Sequence, residues 1–229
     1  MEDGVRRAIM RINEVILETV FPPISKLSKE QVLNLLRTRC RKFFKLFNYK
    51  MGYNLLRTSS PVNPLTFISE SPENREPRDT YYKFHNAINK KLEDAGFVAR
   101  RNNSVFCRGS SLTLVGTAGT RRIFPMDNFD YTWCHSGDLM LDRNLGSSPW
   151  RRGEEIEMGL RKFVPPDSGA QMFLDLKNLT PDDFVEKYGF HNDRLQSAIM
   201  QKNEIYIHGS YVAVGDLDIA DEIDRVYGG

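Results

Sequence analysis

The sequence contains few cysteines, and none of them is spaced for a disulfide framework or a zinc site. Cys40, Cys107 and Cys134 are odd in number and far apart, with no Cys-x-x-Cys pair. The four histidines are scattered and form no His-Glu-x-x-His or His-x-x-x-His pair, so we expect no metal site. We interpret the cysteines as reduced thiols, which are typical of a cytosolic protein.

Long apolar segments are also missing. No apolar run approaches the roughly 18 residues that a membrane-spanning helix needs. Residues 1–4, Met-Glu-Asp-Gly, do not begin a signal peptide with its apolar core. There is no internal repeat and no low-complexity tract. We therefore expect a soluble, cytoplasmic protein with no membrane partner.

The charges are nearly balanced overall but unevenly distributed. The formal net charge is +2, and hydrophobic and charged residues make up 40% and 27% of the chain, as in ordinary globular proteins. Residues 1–60 hold twelve Lys and Arg against five Asp and Glu, whereas residues 200–229 hold two against six. This asymmetry favours an anionic ligand near the front of the chain without requiring nucleic acid.

Hydrophobic periodicity predicts helices first, and then strands interleaved with helices, which indicates an α+β protein. The helices are predicted at 5–20, at 28–46 after a capping box at Ser28, from Asp79 or Thr80 to Gly96, from Thr180, and at 191–200. The strands are predicted at 53–57, 97–100, 104–107, 122–124, 129–133 and from residue 204, with a turn or bulge at 208–210. Residues 59–80 and 141–170 are interpreted as irregular. We expect an N-terminal helical portion at 1–48 and a larger core at 49–229.

Three polar residues stand at the ends of predicted strands. Glu204 opens the last strand, in which apolar residues occupy alternate positions. The backbone at the start of a buried strand is rigid, so this carboxylate can face a cleft from a fixed position. Arg57 ends an apolar strand, and Ser104 leads a polar strand that follows a helix.

In this order, an arginine, a serine-led strand and a late glutamate resemble the Arg–Ser–Glu pattern of the mono-ADP-ribosyltransferases. The chain is most similar to a branch of that family found in phages and bacteria. The shared segments are 74–80, 101–106 (Arg-Asn-Asn-Ser-Val-Phe), 123–125 and 129–133. The likeness covers about residues 50–215.

The resemblance implies a split, mostly antiparallel sheet core of ADP-ribosyltransferase type that binds NAD in a cleft. The implied reaction is transfer of ADP-ribose from NAD to a macromolecular acceptor, with release of nicotinamide. The enzyme would then be a glycosyltransferase acting on a host protein, as a toxin-like phage or bacterial effector in the host cytosol. The oligomeric state is not implied.

The resemblance also assigns roles to the three strand-end residues. Arg57 would hold the NAD diphosphate, because a guanidinium offers a planar, charged fork to phosphate oxygens. Glu204 would stabilise the oxocarbenium character that develops when the nicotinamide–ribose bond breaks. Ser104 would hold the geometry by hydrogen bonding. These three are the predicted catalytic residues.

Further residues are expected to contact the cofactor. An aromatic ring must stack on nicotinamide, and Phe106, Phe129 and Tyr131 are candidates that the sequence does not separate. The residues predicted to bind NAD are Arg57, Arg101, Asn103, Ser104, Phe106 and Tyr131. Arg100 or Arg101 is an alternative to Arg57 as the phosphate ligand.

Two positions depart from the family pattern. The middle strand begins Ser-Val-Phe at residues 104–106 instead of Ser-Thr-Ser. Lys202 stands two residues before Glu204, where enzymes that modify arginine, asparagine or cysteine often have Glu or Gln. The acceptor therefore stays open, as does an NAD glycohydrolase or an inactive relative.

A basic segment supports one alternative in which the protein is not an enzyme. Residues 37–45 carry five Arg and Lys side chains interleaved with two phenylalanines, and Phe47 follows. This pattern favours a helix that buries its phenylalanines while its charges face water. The alternative is that this segment forms a surface that binds nucleic acid, in a catalytically inactive protein such as a phage structural component.

Overall fold

A computed structural model describes residues 27–58, 65–76, 82–111, 119–135 and 169–228. These residues form an α+β protein, which confirms the predicted class. The helices are α1 (Lys29–Arg39), α2 (Arg41–Leu46), a 3-10 turn (Tyr49–Met51), α3 (Tyr82–Asp94), α4 (Gly169–Asn178), α5 (Pro181–Tyr188), α6 (Leu195–Met200) and α7 (Leu217–Tyr227). The strands are β1 (Asn54–Thr58), β2 (Thr66–Glu70), β3 (Val105–Ser110), β4 (Thr120–Pro125), β5 (Asp130–Cys134), β6 (Phe190–His191), β7 (Glu204–His208) and β8 (Ser210–Val214). The predicted helix at 5–20 and residues 141–168 of the segment predicted to be irregular at 141–170 lie outside the described residues. Residues 169 and 170 of that segment are helical, because α4 begins at Gly169.

The strands form one eight-stranded sheet in the order β2-β8-β4-β1-β3-β7-β5-β6. Each neighbouring pair is antiparallel. A mostly antiparallel sheet was predicted and is confirmed. Whether it is of ADP-ribosyltransferase type stays a prediction.

A bent two-stranded ribbon connects the two halves of this sheet. Each side of the ribbon consists of two consecutive strands: β4 and β5 form one side, and β7 and β8 form the other. Across the ribbon, β4 pairs with β8, and β5 pairs with β7. Only Gly209 separates β7 from β8, although three strands lie between them in the sheet. Gly209 has φ +114°, and a Cβ there would lie 3.3 Å from the Cα of Phe129. The bend therefore requires glycine, as the predicted turn or bulge at 208–210 suggests.

Apolar side chains pack in two clusters that share the sheet. The first joins α1, α2, α6 and α7 to the strands, and the second joins α3, α4 and α5 to β5, β6 and β7. Along β7, Ile205 and Ile207 belong to the first cluster and Tyr206 to the second. The alternation of side chains along a strand explains this division.

Local sequence signals fix several helix ends. Ser28 and Gln31 form the predicted capping box, with Ser28 Oγ 3.2 Å from the Gln31 nitrogen and Gln31 Oε1 2.8 Å from the Ser28 nitrogen. Thr180 caps α5 ahead of a first-turn proline. Gly96 has φ +81° just beyond α3, as predicted for its stop.

Three predicted elements are wrong in detail. The helix predicted at 28–46 is divided at Cys40 into α1 and α2. The segment 59–80, predicted to be a loop, contains β2, which pairs with β8 along its whole length. Residues 97–100, predicted to be a strand, form a loop.

The buried groups agree with the interpretation of the cysteines and phenylalanines. All three cysteines are free and buried. Burial raises the pKa of Cys107 to about 12, so it is packed rather than nucleophilic. Phe43 and Phe47 are buried and the intervening Phe44 packs against the same core. In the described ranges, no helix combines the length and the apolar character needed to span a membrane.

Candidate functional site

Glu204 stands at the first position of β7, near the middle of the sheet. Its neighbours across the strands are Arg108 on β3 and, beyond that, Leu56 on β1. The Glu204 side chain keeps 18% of its accessible surface. The predicted position of Glu204 at the start of this strand is confirmed. A carboxylate with this placement is held by the strand and is still reachable from solvent.

A buried arginine and a buried tyrosine hold this carboxylate. Arg101 Nη1 lies 3.5 Å from Glu204 Oε1 and donates a 2.9 Å hydrogen bond to the hydroxyl of Tyr206. Burial raises the pKa of Tyr206 well above its usual value; Arg101 opposes this shift, and Glu204 adds to it. Tyr206 therefore stays neutral, and its hydroxyl links the guanidinium to the carboxylate.

The ring of Phe106 forms the floor beside this pair. The guanidinium carbon of Arg101 lies 5.0 Å from the ring centroid, and that of Arg75 lies 4.0 Å from it. Tyr206 packs against the same ring with a centroid distance of 4.9 Å. Two guanidiniums therefore lie against one aromatic ring, and one of them also contacts Glu204; the two positive charges favour an anionic ligand.

The loop from 98 to 104 positions Arg101. Asn103 accepts hydrogen bonds from the Arg100 nitrogen (2.7 Å) and from Ser104 Oγ (3.1 Å). The Asn103 side chain also donates to the carbonyl of Val98 at 2.9 Å. Ser104 is fully buried. Asn103 and Ser104, both predicted site residues, thus form hydrogen bonds within this loop. Their contact with a cofactor stays a prediction.

Polar groups of α3 lie next to Arg101. Asn89 accepts a hydrogen bond from the Asn102 nitrogen at 3.2 Å. His85 is 3% exposed. Burial lowers the pKa of His85 to about 4, and the charge of Arg101 contributes to the same shift. The imidazole is therefore neutral at physiological pH.

Arg57 is not brought together with Glu204. It follows Leu56, the residue that shares a cross-strand row with Arg108 and Glu204. Because neighbouring side chains on a strand point to opposite faces, Arg57 is directed away from that row. Its Nη1 donates to the hydroxyl of Tyr211 at 3.0 Å. The alternative Arg100 forms an ion pair with Glu93 at 3.2 Å, which leaves Arg101 as the predicted arginine that contacts Glu204.

The aromatic candidates for stacking on nicotinamide are packed inside the protein. Phe129 is fully buried, with Lys42 Nζ 4.8 Å from its ring centroid. Tyr131 is 8% exposed within the first apolar cluster. Phe106 is partly buried under Arg75 and Arg101. Their predicted role is untested; Phe106 packs against Arg101 and Tyr206, the two residues that hold Glu204.

His208 ends β7 on the same face as Glu204 and Tyr206. Its Nδ1 lies 2.8 Å from the carbonyl of Asn103 and 3.1 Å from Ser71 Oγ. Bonds from Nδ1 hold the ring at the rim of the site. Across the described ranges, no three His, Cys, Asp or Glu side chains are grouped to hold a metal ion.

Sequence reasoning missed Tyr206, His85 and Arg75. Tyr206 could have been found, since it is two positions from Glu204 on a strand and therefore shares its face. His85 carries no local signal, because its place depends on how α3 packs against β3 and β7. Arg75 lies in the shared segment 74–80, but no role was predicted for it, because its place depends on how the segment after β2 packs.

The chemistry available here is that of a fixed carboxylate beside two guanidiniums. A carboxylate mounted in this way can stabilise a cationic transition state, and the guanidiniums can bind phosphate or carboxylate oxygens.

Comparisons of the chain with protein-family models, with curated proteins and with solved structures give no match.

Proposed function

We propose that this protein binds NAD and transfers its ADP-ribose to a macromolecular acceptor. The bond between the nicotinamide nitrogen and C1′ of the ribose breaks, and nicotinamide leaves. A bond forms between C1′ and a nucleophilic atom of the acceptor, which loses its proton. The proposal joins the resemblance of the sequence to the arrangement around Glu204.

One observation carries the proposal: Glu204 is held at the start of a central strand by Arg101 and Tyr206 while its side chain stays 18% exposed. The transition state for loss of nicotinamide carries positive charge on the ribose. A carboxylate that is already oriented stabilises such charge without reorganisation. The neighbouring guanidiniums provide the countercharge that a dinucleotide diphosphate needs.

The strand order also supports the proposal. The strands that carry Arg57, Ser104 and Glu204 in the family pattern correspond here to β1, β3 and β7, which are hydrogen-bonded neighbours. The residues of the pattern therefore stand on or next to neighbouring strands, which supports the proposal. The arginine that contacts Glu204 is Arg101, whereas Arg57, to which the pattern gives the NAD diphosphate, is directed away from Glu204.

The decisive experiment is nicotinamide release from NAD by the full chain and by Glu204→Gln in the presence of a cell lysate. Glutamine keeps an oxygen that can accept from Arg101 but removes the negative charge. We expect nicotinamide release to fall by about a hundredfold or more, in line with the loss of one oriented electrostatic group. Glu186→Gln, which changes an exposed glutamate on α5, is the matched control and should release nicotinamide at the wild-type rate.

NAD labelled in its adenylate half identifies the acceptor class in the same experiment. Label on a lysate protein or nucleic acid supports transfer, whereas free ADP-ribose alone would identify a glycohydrolase with water as acceptor. Wild-type turnover by Glu204→Gln would remove Glu204 from the mechanism. No nicotinamide release by the wild-type protein would refute the proposed function.

A further inference from the structure

A long stretch of the chain that includes the end of α1 and all of α2 carries charges of one sign only. Residues 31–69 contain seven Lys and Arg and no Asp or Glu. Five of the seven cations fall within residues 37–45. A concentration of positive charge without intervening acids attracts polyanions.

The cations in this stretch face solvent and are mostly unpaired. Arg37, Arg39, Arg41 and Lys45 are exposed. Across the described ranges, the only one of the four that forms an ion pair is Arg41, whose Nε lies 3.2 Å from Asp127 and whose side chain keeps 70% of its accessible surface. The side chains of the other three are therefore available to an anionic partner.

The junction of α1 and α2 holds these cations together. The backbone N–H of Asp127 donates to the carbonyl of Arg39 at 2.6 Å, and Asp127 Oδ1 accepts from the nitrogen of Lys42 at 2.8 Å. Arg41 and Lys45 are four residues apart on α2 and therefore share a face of that helix. Like charges at this spacing destabilise a helix slightly, so a partner explains the pair better than folding does.

A stacked pair of aromatic rings lies next to the cations. Phe44 stacks on Tyr227 with a centroid distance of 4.5 Å and an interplanar angle of 5°. Both residues are only partly buried. Burial raises the pKa of Tyr227, and the charge of Arg37 opposes this shift, which places Arg37 near this ring. We define the cationic surface as the four exposed cations and the two rings: Arg37, Arg39, Arg41, Lys45, Phe44 and Tyr227.

The acids of α7 that lie closest in sequence to Tyr227 are already paired. Residues 222–227 of α7 contain two acids. Glu222 accepts from Lys29 at 3.2 Å and from Arg225 at 2.5 Å, and Asp224 accepts from Arg122. These carboxylates therefore do not cancel the charge of the cationic surface.

We infer that the cationic surface binds single-stranded nucleic acid. The exposed cations would contact the phosphates, and the rings would contact unpaired bases, which is how proteins bind single strands without reading a sequence. A duplex offers the same phosphates, but its bases are stacked on one another and cannot use the rings. The inference is independent of the proposed function, because the residues around Glu204 belong to β3, β7 and the loop from 98 to 104.

Fluorescence anisotropy of a labelled, single-stranded thymidine oligomer of about 20 nucleotides tests the inference on the full chain. For about three or four phosphate contacts, we expect the logarithm of the association constant to fall with the logarithm of salt concentration with a slope of about −2 to −3.

The double variant Arg37→Gln, Lys45→Gln removes two of these contacts. It should weaken binding by about tenfold or more at about 0.1 M salt and make the slope less steep by about 1.4. The matched control is the double variant Lys83→Gln, Lys90→Gln, which removes two exposed charges from α3 and should bind like the wild type. No binding by the wild type would overturn the inference, as would an equal loss of affinity in the two double variants.

Tyr227→Leu tests the contribution of the rings. It should weaken binding of the single strand by about fivefold or more without changing the salt slope, because a ring contributes stacking and no charge. If this variant unfolds, the duplex decides, since tighter binding of a duplex of the same length would overturn the assignment to single strands. Displacement of the oligomer by polyglutamate of equal charge, at an equal concentration to unlabelled oligomer, would overturn the inference in favour of an acidic protein partner.

Discussion

Arg101 connects the parts of the candidate site, because its buried guanidinium contacts Glu204, Tyr206 and Phe106. A buried cation is stable only when nearby groups satisfy its charge and its N–H bonds. Replacing Glu204 with alanine would remove both a charge and an acceptor from it. Glutamine is therefore the sharper substitution, since it changes the charge and preserves the shape.

His85 makes the stability of the protein depend on pH. Its pKa is lowered from 6.5 to about 4 by burial and by Arg101. Above pH 6.5 the group is neutral in the folded and unfolded chains, and the full stability is present. As the pH falls from about 6.5 to about 4, the unfolded chain takes up a proton that the folded chain does not, so the free energy of unfolding decreases. We expect this decrease to be on the order of 2 kcal/mol, and His85→Gln should remove it from urea titrations at pH 7 and pH 5.

His191 provides the matched control for this titration. Its pKa is also lowered, by burial and by His135, but its side chain is 37% exposed. Solvent screening reduces the effect of an exposed group, so His191→Gln should flatten the pH dependence much less than His85→Gln. An unchanged slope in His85→Gln would show that the buried imidazole is not the group that responds.

Single residues also mark the limit of what the sequence predicts at the site. Glu204 could be found because its strand has a clear period of two and the residue stands at its start. The position of Arg57 could not, because a shift of one residue in the register of β1 moves its side chain to the other face of the sheet. That register is set by pairing with β3 and β4, which the sequence of β1 does not encode alone.

At the level of elements, α7 is held against the sheet by an ion pair between a buried arginine and an aspartate whose side chain is 38% exposed. Arg122 on β4 is 2% exposed and donates from Nη1 and Nη2 to the two oxygens of Asp224, at 2.5 and 2.9 Å. The hydroxyl of Tyr49 joins this network at 2.9 Å from Asp224. A two-pronged pair of this kind holds the helix at a fixed distance from the strand.

Asp224→Asn should therefore destabilise the fold although Asp224 is on the last helix. The change leaves the buried Arg122 guanidinium without its paired carboxylate, and we expect a loss of about 1–2 kcal/mol in the free energy of unfolding, less than for a fully buried pair because water screens the exposed part of Asp224. Asp221→Asn changes an exposed carboxylate on the same helix and should cost about 0.5 kcal/mol or less. If urea unfolding showed the same loss of stability in both variants, the Arg122–Asp224 pair would contribute no more than any negative charge on α7.

Elements defined by local signals could be predicted, whereas those defined by distant partners could not. The ends of α1, α3 and α5 follow from Ser28, Gly96 and Thr180. The strand β2 lies in a segment rich in Ser and Pro, and it forms because β8 pairs with it from about 150 residues away in sequence. Residues 97–100 have the apolar character of a strand, but the Asn103 side chain bonds to the backbone of Val98 and of Arg100 and holds the segment as a loop.

At the scale of the whole molecule, the described N-terminal residues, 27–48, pack into the same apolar core as the sheet. Phe43 packs against Phe124 with a centroid distance of 6.1 Å, and Phe44 stacks on Tyr227 of α7 at 4.5 Å. The boundary predicted between 48 and 49 stays untested by these contacts, because packing does not show how the parts unfold. Cooperative unfolding would make 27–48 part of the core, whereas separate unfolding would make it a module.

Native-state hydrogen exchange on Phe43→Ala distinguishes these cases. Truncating this fully buried ring should lower the free energy of opening by about 3–5 kcal/mol. We expect the loss at amides of α1 and also at amides of β4, because one apolar cluster contains both. Phe184→Ala makes the same truncation in the second cluster, and since the two clusters share the sheet, it should also lower the protection of α1. A loss confined to α1 and α2 in Phe43→Ala, with α1 unaffected by Phe184→Ala, would instead show that residues 27–48 unfold on their own.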